Sequence, residues 1–138
     1  MRLLTIVVFH IFVLSCTSTK KTGALSNPLN GTWVPVQEEI AGNALPSAAF
    51  QTQKLVLNDS TYIFTAESVD KGVVKYSGNK MDIYGKEGVN SGKHFTAIYK
   101  LENDQLTICY DLSANSYPTA YDTKGKPTNF LCVFKKQP

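Results

Sequence analysis

From Lys54 onward, apolar and polar side chains alternate with a period of two, and that alternation constrains the fold more than any other feature of the chain. Successive side chains of a β-strand project to opposite faces, so each alternating run is a strand with one dry side. Leu55 and Leu57, Tyr62 with Phe64 and Ala66, Met81 with Ile83, Phe95 with Ala97, Tyr99 and Leu101, and Leu106 with Ile108, Tyr110 and Leu112 share one side. Lys54, Thr65, Asp82, Lys100, Thr107 and Asp111 take the other. Nothing longer than a turn has helical periodicity. Eight strands are expected: Gly31–Glu39, Lys54–Leu57, Thr61–Glu67, Gly72–Tyr76, Lys80–Tyr84, His94–Leu101, Gln105–Leu112 and Asn129–Lys135. Clusters of turn formers such as Asn58-Asp59-Ser60 and Ser77-Gly78-Asn79 join neighbours, and Gly42–Gln51 is expected as a loop with one helical turn around Ser47–Phe50.

Short connections make neighbouring strands antiparallel, so the expected topology is a meander. One dry face per strand over eight strands favours a sheet curled until its edges meet. The expected fold class is therefore all-β, an eight-stranded antiparallel up-and-down barrel with room inside for side chains or one small ligand. A sandwich fits the alternation almost as well. The sequential hairpins favour the barrel, because they show no long Greek-key crossover apart from the Ser113–Thr128 loop.

The chain has 138 residues, 43% of them hydrophobic, which is enough for one core and too short for a multidomain enzyme. Fourteen basic residues stand against eleven acidic ones, and Arg2 is the single arginine. The rest of the chain is close to neutral and has no guanidinium for bidentate recognition of phosphate or carboxylate. Nucleic-acid binding is not expected, and an anionic substrate is not favoured.

Met1-Arg2 is a short positive start, Leu3–Leu14 is an apolar run too short to span a bilayer, and Ser15-Cys16 precedes the polar stretch Thr17–Lys21. Val13-Leu14-Ser15-Cys16 resembles the lipobox of bacterial lipoproteins. The resemblance implies cleavage before Cys16 and lipidation of its thiol, with residues 1–15 as signal peptide. Two or three acyl chains hold a protein to a membrane durably where one does not. Residues 16–29 are expected to form the lipidated cysteine and a tether, and residues 30–138 the barrel domain. In bacterial lipoproteins an aspartate after the cysteine resembles an inner-membrane retention signal; here Thr17 stands in that place, so the resemblance implies the outer membrane of a bacterial cell envelope, and the lack of an acidic cluster after Cys16 favours the face toward the periplasm.

Asn30-Gly31-Thr32-Trp33 at the start of the first strand resembles the G-x-W signature of lipocalins and other calycins. More widely, residues 29–136 are similar to small lipocalin-like domains of unknown function in bacterial secreted proteins and lipoproteins. The matching stretches are Gly31-Thr32-Trp33 with Val36, Ala41–Pro46, Ala97–Tyr110, Tyr117–Tyr121 and Phe130–Lys136. The resemblance implies a lipocalin-like barrel whose Trp33 closes one end, with Lys135 or Lys136 in place of the arginine that usually packs over that indole.

Trp33, Tyr62, Phe64, Tyr76, Phe95, Tyr99 and Tyr110 are the candidate ligand-binding residues. Trp33 is read first as a plug, and the other aromatics either fill the interior or line a cavity in it. A register that sets Cys109 against Cys132 offers a disulfide, and the competing reading is two buried free thiols. Catalytic patterns are lacking. His94 is the one histidine beyond the leader and is expected as a solvated strand-end residue; no nucleophile elbow, zinc-ligand spacing or cofactor motif accompanies it. Glu38 and Glu39 are adjacent strand residues that face opposite ways and cannot serve one substrate.

Two functions follow. One is a monomeric, membrane-tethered module that takes a small apolar or amphipathic ligand at the barrel mouth, with the Gly42–Gln51 and Ser113–Thr128 loops as its rim. The alternative is a protein-interaction or inhibitor module with a packed barrel, acting through its long loop. No cofactor and no enzymatic activity are expected.

Overall fold

The computed structural model describes residues 26–138. The expected cleavage site and lipidated Cys16 lie outside the described residues.

The strands are β1 (Gly31–Ile40), β2 (Asn43–Ala44), β3 (Lys54–Asn58), β4 (Thr61–Thr65), β5 (Val69–Ser77), β6 (Lys80–Glu87), β7 (His94–Glu102), β8 (Gln105–Asp111) and β9 (Asn129–Lys136). One turn of 3-10 helix, Ser47–Ala49, stands where the helical turn was expected. From β3 to β9 each strand pairs antiparallel with the next, and β1 pairs with both β3 and β9. The result is a closed, eight-stranded, up-and-down antiparallel barrel, with the two-residue β2 appended to the end of β1.

Closure depends on how β1 is built. Gly31–Trp33 pairs with Leu55–Leu57, and Trp33–Ile40 pairs with Phe130–Lys136. The β1–β9 register slips between Pro35 and Gln37. Proline has no amide proton for a ladder, so a bulge is where a strand tolerates one. The slip resets the alternation of β1. Trp33 and Pro35 are buried below it, and Glu38 is the buried residue above it.

The barrel has two unlike ends. The tight β3–β4, β5–β6 and β7–β8 turns gather at one end together with the start of β1. There Trp33 is fully buried, its indole N–H donates to the Leu29 carbonyl over 2.8 Å, and the Lys136 ammonium lies 5.2 Å from the ring centroid. The lysine thus supplies the cation expected over the indole. Leu29 itself is 2% exposed and joins the core, so the packed structure begins inside the stretch read as tether. Asn30 fixes this segment to the β3–β4 turn: its amide donates to the Asp59 carboxylate at 2.8 Å and accepts from the Asp59 N–H at 2.7 Å.

Two inward assignments change at strand ends. Leu101 is exposed, and β4 stops at Thr65, before Ala66. The larger difference lies outside the barrel. The 112–128 connection is pressed against the outer wall, where Tyr117 and Tyr121 cover Ile98, Cys109 and Leu131. These strands are therefore dry on both faces.

That arrangement decides the cysteines. Cys109 pairs with Leu131, and Cys132 with Ile108, one residue away from the register that would oppose the thiols. A slip of one residue moves a side chain to the other face. Cys132 belongs to the lumen, Cys109 to the layer under the outer loop, and both are buried free thiols. The disulfide expected as one alternative is absent.

Candidate functional site

The barrel is open at the end opposite Trp33, where a cavity of about 520 Å³ enters the lumen. That is within the range of small-molecule sites. Of the seven candidate residues, Tyr62 and Phe64 on β4, Phe95 on β7 and Tyr110 on β8 line it. Phe130 and Phe134 from β9 add two aromatic rings, and Phe130 stacks on Tyr110 at 5.8 Å.

Trp33, Tyr76 and Tyr99 are not in the cavity wall. Trp33 is the plug described above. Tyr76 and Tyr99 meet edge to face at 5.9 Å, and the Tyr99 hydroxyl donates to the Gly78 carbonyl in the β5–β6 turn. Burial, followed by the neighbouring Tyr99, pushes the Tyr76 phenol up to about 12. These three side chains close the floor of the barrel.

The polar part of the wall was not anticipated. Glu38 lines the lumen at 3% exposure, with the Cys132 thiol donating to its Oε1 over 3.7 Å and the Gln53 amide beside it. Desolvation raises the pKa of its carboxyl, against a smaller opposing effect of those two hydrogen bonds. Burial likewise holds the Cys132 thiol and the Tyr110 phenol in their neutral forms, with Glu38 adding to both shifts. Glu39 points outward and bonds Thr123 of the outer loop. The two glutamates do face opposite ways, as the strand geometry requires.

The mouth is built by the connection between β6 and β7. Asp70 accepts from the Asn90 backbone N–H and side-chain amide, both at 3.0 Å, and Lys93 donates to the Asn90 side-chain oxygen Oδ1 at 3.1 Å. Asp70, Asn90, Lys93 and Leu112 all reach the cavity. The loop folds this tightly because a Cβ at Gly85 would overlap the Asn90 carbonyl, and one at Gly88 would overlap the Asp70 carboxylate. Gly88 also has φ +87°, which disfavours other residues. Neither the Gly42–Gln51 loop nor the Ser113–Thr128 loop lines the cavity, so the rim differs from the expected one. The density of glycines between Gly85 and Gly92 was the sequence signal for this loop.

His94 is more than a solvated strand end. Its Nε2 lies 2.8 Å from Asp82 Oδ1 and its ring stacks on Tyr84 at 4.4 Å, while the Tyr117 hydroxyl donates to Asp82 Oδ2 at 2.5 Å. The Tyr117 bond is the main cause that lowers the pKa of Asp82. This group ties the outer loop to β6. Among the described residues, no set of three or more His, Cys, Asp or Glu side chains is placed to hold a metal ion.

Compared with protein-family models, with curated proteins and with solved structures, the chain matches none.

Proposed function

We propose that this protein is a lipid-anchored, lipocalin-like binding module that carries a small apolar or amphipathic ligand in its barrel, at a bacterial outer membrane. The observation that carries the reading is the one-ended cavity of about 520 Å³, walled by aromatic and aliphatic side chains and floored by a packed plug. Exposed Val69, Val89 and Leu112 belong to the same end of the barrel as the mouth, which favours a ligand that arrives with apolar surface. The packing of Tyr117 and Tyr121 against the barrel wall and the burial of Pro118 leave the long loop with less surface for a protein partner.

The anchor at Cys16 is part of the same proposal. Residue 26 leads into the plugged end, so a lipid at Cys16 would hold the barrel by that end and leave the mouth on the opposite side.

Native mass spectrometry of the full chain, purified gently from its host, tests both parts. A small molecule released on activation, together with a mature mass that begins at a diacylated or triacylated Cys16, is the expected result. An unmodified chain with residues 1–15 still attached, isolated from membranes, removes the anchor. A ligand-free mass, combined with failure of a neutral naphthylamine dye to bind saturably, removes the carrier reading.

A further inference from the structure

We propose that the lumen selects ligands that carry an amine on an apolar body, with the Glu38 carboxyl as the group that recognises the ammonium. This deepens the carrier reading and rests on it. Three observations lead there.

First, Glu38 is a carboxyl group aimed into an apolar cavity at 3% exposure, and its polar neighbours, Cys132 and Gln53, bring no positive charge. Among the described residues the ion pairs are Lys71–Glu87, His94–Asp82, Lys100–Glu102 and Lys126–Asp122, and none involves Glu38. A carboxylate removed from water without a counter-charge is costly. An ammonium arriving beside it removes that cost, so the free energy of pairing appears in the affinity.

Second, the two carboxyl groups of the wall differ in what they already hold. Both oxygens of Asp70 accept hydrogen bonds from Asn90. Lys93, the cation of the wall, is exposed at the rim, where it bonds the same neutral asparagine and forms no ion pair among the described residues. Below the rim the charged groups that a ligand meets are acidic, and Glu38 is the one without a backbone or amide clamp of this kind.

Third, the rings of Tyr62, Phe64, Phe95, Tyr110, Phe130 and Phe134 surround the space. Aromatic faces attract organic cations and accept an apolar body equally well. An anionic amphiphile meets Glu38 and the negative faces of these rings. A neutral one gains the burial of its body and nothing from the carboxylate.

Calorimetric titration of the full chain in lipid nanodiscs, with protein-free discs as the blank, separates these cases through phenylbutylamine, phenylbutanol and phenylbutyrate. The three probes share one apolar body. The amine is expected to bind at least tenfold more tightly than the alcohol at neutral pH, and the acid most weakly. Glu38→Gln, nearly isosteric, is expected to bring the amine to within about twofold of the alcohol while the affinity for the alcohol stays within twofold of the parent. That retained affinity also reports that the variant is folded. Alcohol and amine binding equally, or Glu38→Gln keeping the preference, overturns amine selection and leaves the carrier reading standing. If none of the three binds, the carrier reading falls and amine selection falls with it.

Discussion

Leu29→Ala tests whether the domain begins where the sequence pattern suggests, at the strand, or earlier, at the plug. Leu29 lies before β1, at 2% exposure, and packs into the cluster that contains Trp33, Leu57 and Phe134. The substitution leaves the Leu29 carbonyl in place to accept the indole N–H, so it removes packing without removing the 2.8 Å hydrogen bond. Buried Leu→Ala changes cost about 3–5 kcal/mol, with the lower values where surroundings relax into the space. A plug at the end of a barrel, flanked by turns, belongs at the lower end, about 3 kcal/mol. For a domain of this size one kcal/mol moves Tm by roughly 4 °C, so the melting point should fall by about 12 °C. Urea unfolding followed by Trp33 fluorescence measures the free energy directly, and an unchanged m-value would show that the compactness of the two states is preserved. A loss below about 0.5 kcal/mol, the size usual for a surface site, would refute the reasoning and return Leu29 to the tether.

Other consequences follow from the same geometry. Glu38 has a folded pKa above its ordinary value of 4.5, so between that value and the raised one the folded chain holds more protons than the unfolded chain. Stability should therefore fall as pH rises through this window, and Glu38→Gln should flatten the fall, read from urea midpoints; Cys132, Tyr110 and Gln53 are the groups facing it. Gly88→Ala should cost more than about 1 kcal/mol, through overpacking against Asp70 and the positive φ, while an unchanged melting curve would sink the account of the mouth loop. Both thiols should resist alkylation in the native protein, and in the double variant Tyr117→Ala/Tyr121→Ala Cys109 alone should become reactive, since that pair covers the outer wall and Cys132 faces the lumen. Simultaneous labelling of the two, followed by peptide mass spectrometry, would show a global opening instead.

The barrel was legible because its signal is local. Alternation along β3 to β8 names the wet and dry sides strand by strand, and the tight turns at Asp59, Gly78 and Asn103 set each neighbour's direction. What escaped depends on register or on packing between distant segments. Nothing in Asn129–Lys136, a run dry on both faces, tells Cys132 from Leu131, so its phase was not recoverable from alternation. The loop that makes the second face dry is separated in sequence from Ile98, which it covers, and its own polar composition reads as a free surface. Glu38 was hidden by the slip after Pro35, since a strict period of two from Trp33 puts an odd-numbered neighbour inside.

The open lumen follows from how the inward side chains differ in size along the barrel. At the plugged end Trp33, Leu29 and Phe134 fill the cross-section, and Tyr76 with Tyr99 brace it. Toward the mouth, a glycine stands among the large inward side chains. Gly72 on β5 pairs with Tyr62 on one side and Gly85 on the other. A Cβ at Gly72 would meet the Tyr62 ring, so the ring lies against the wall in the space the glycine leaves. Eight strands enclose just enough room for side chains to fill. A tyrosine folded back onto a glycine withholds volume that a packed barrel would use, and that volume contributes to the cavity. Gly72 therefore does more than bend a strand: a Cβ there would overlap the Tyr84 backbone carbonyl of β6 as well as the Tyr62 ring, so a larger residue would strain the β5–β6 pairing and press the ring toward the lumen.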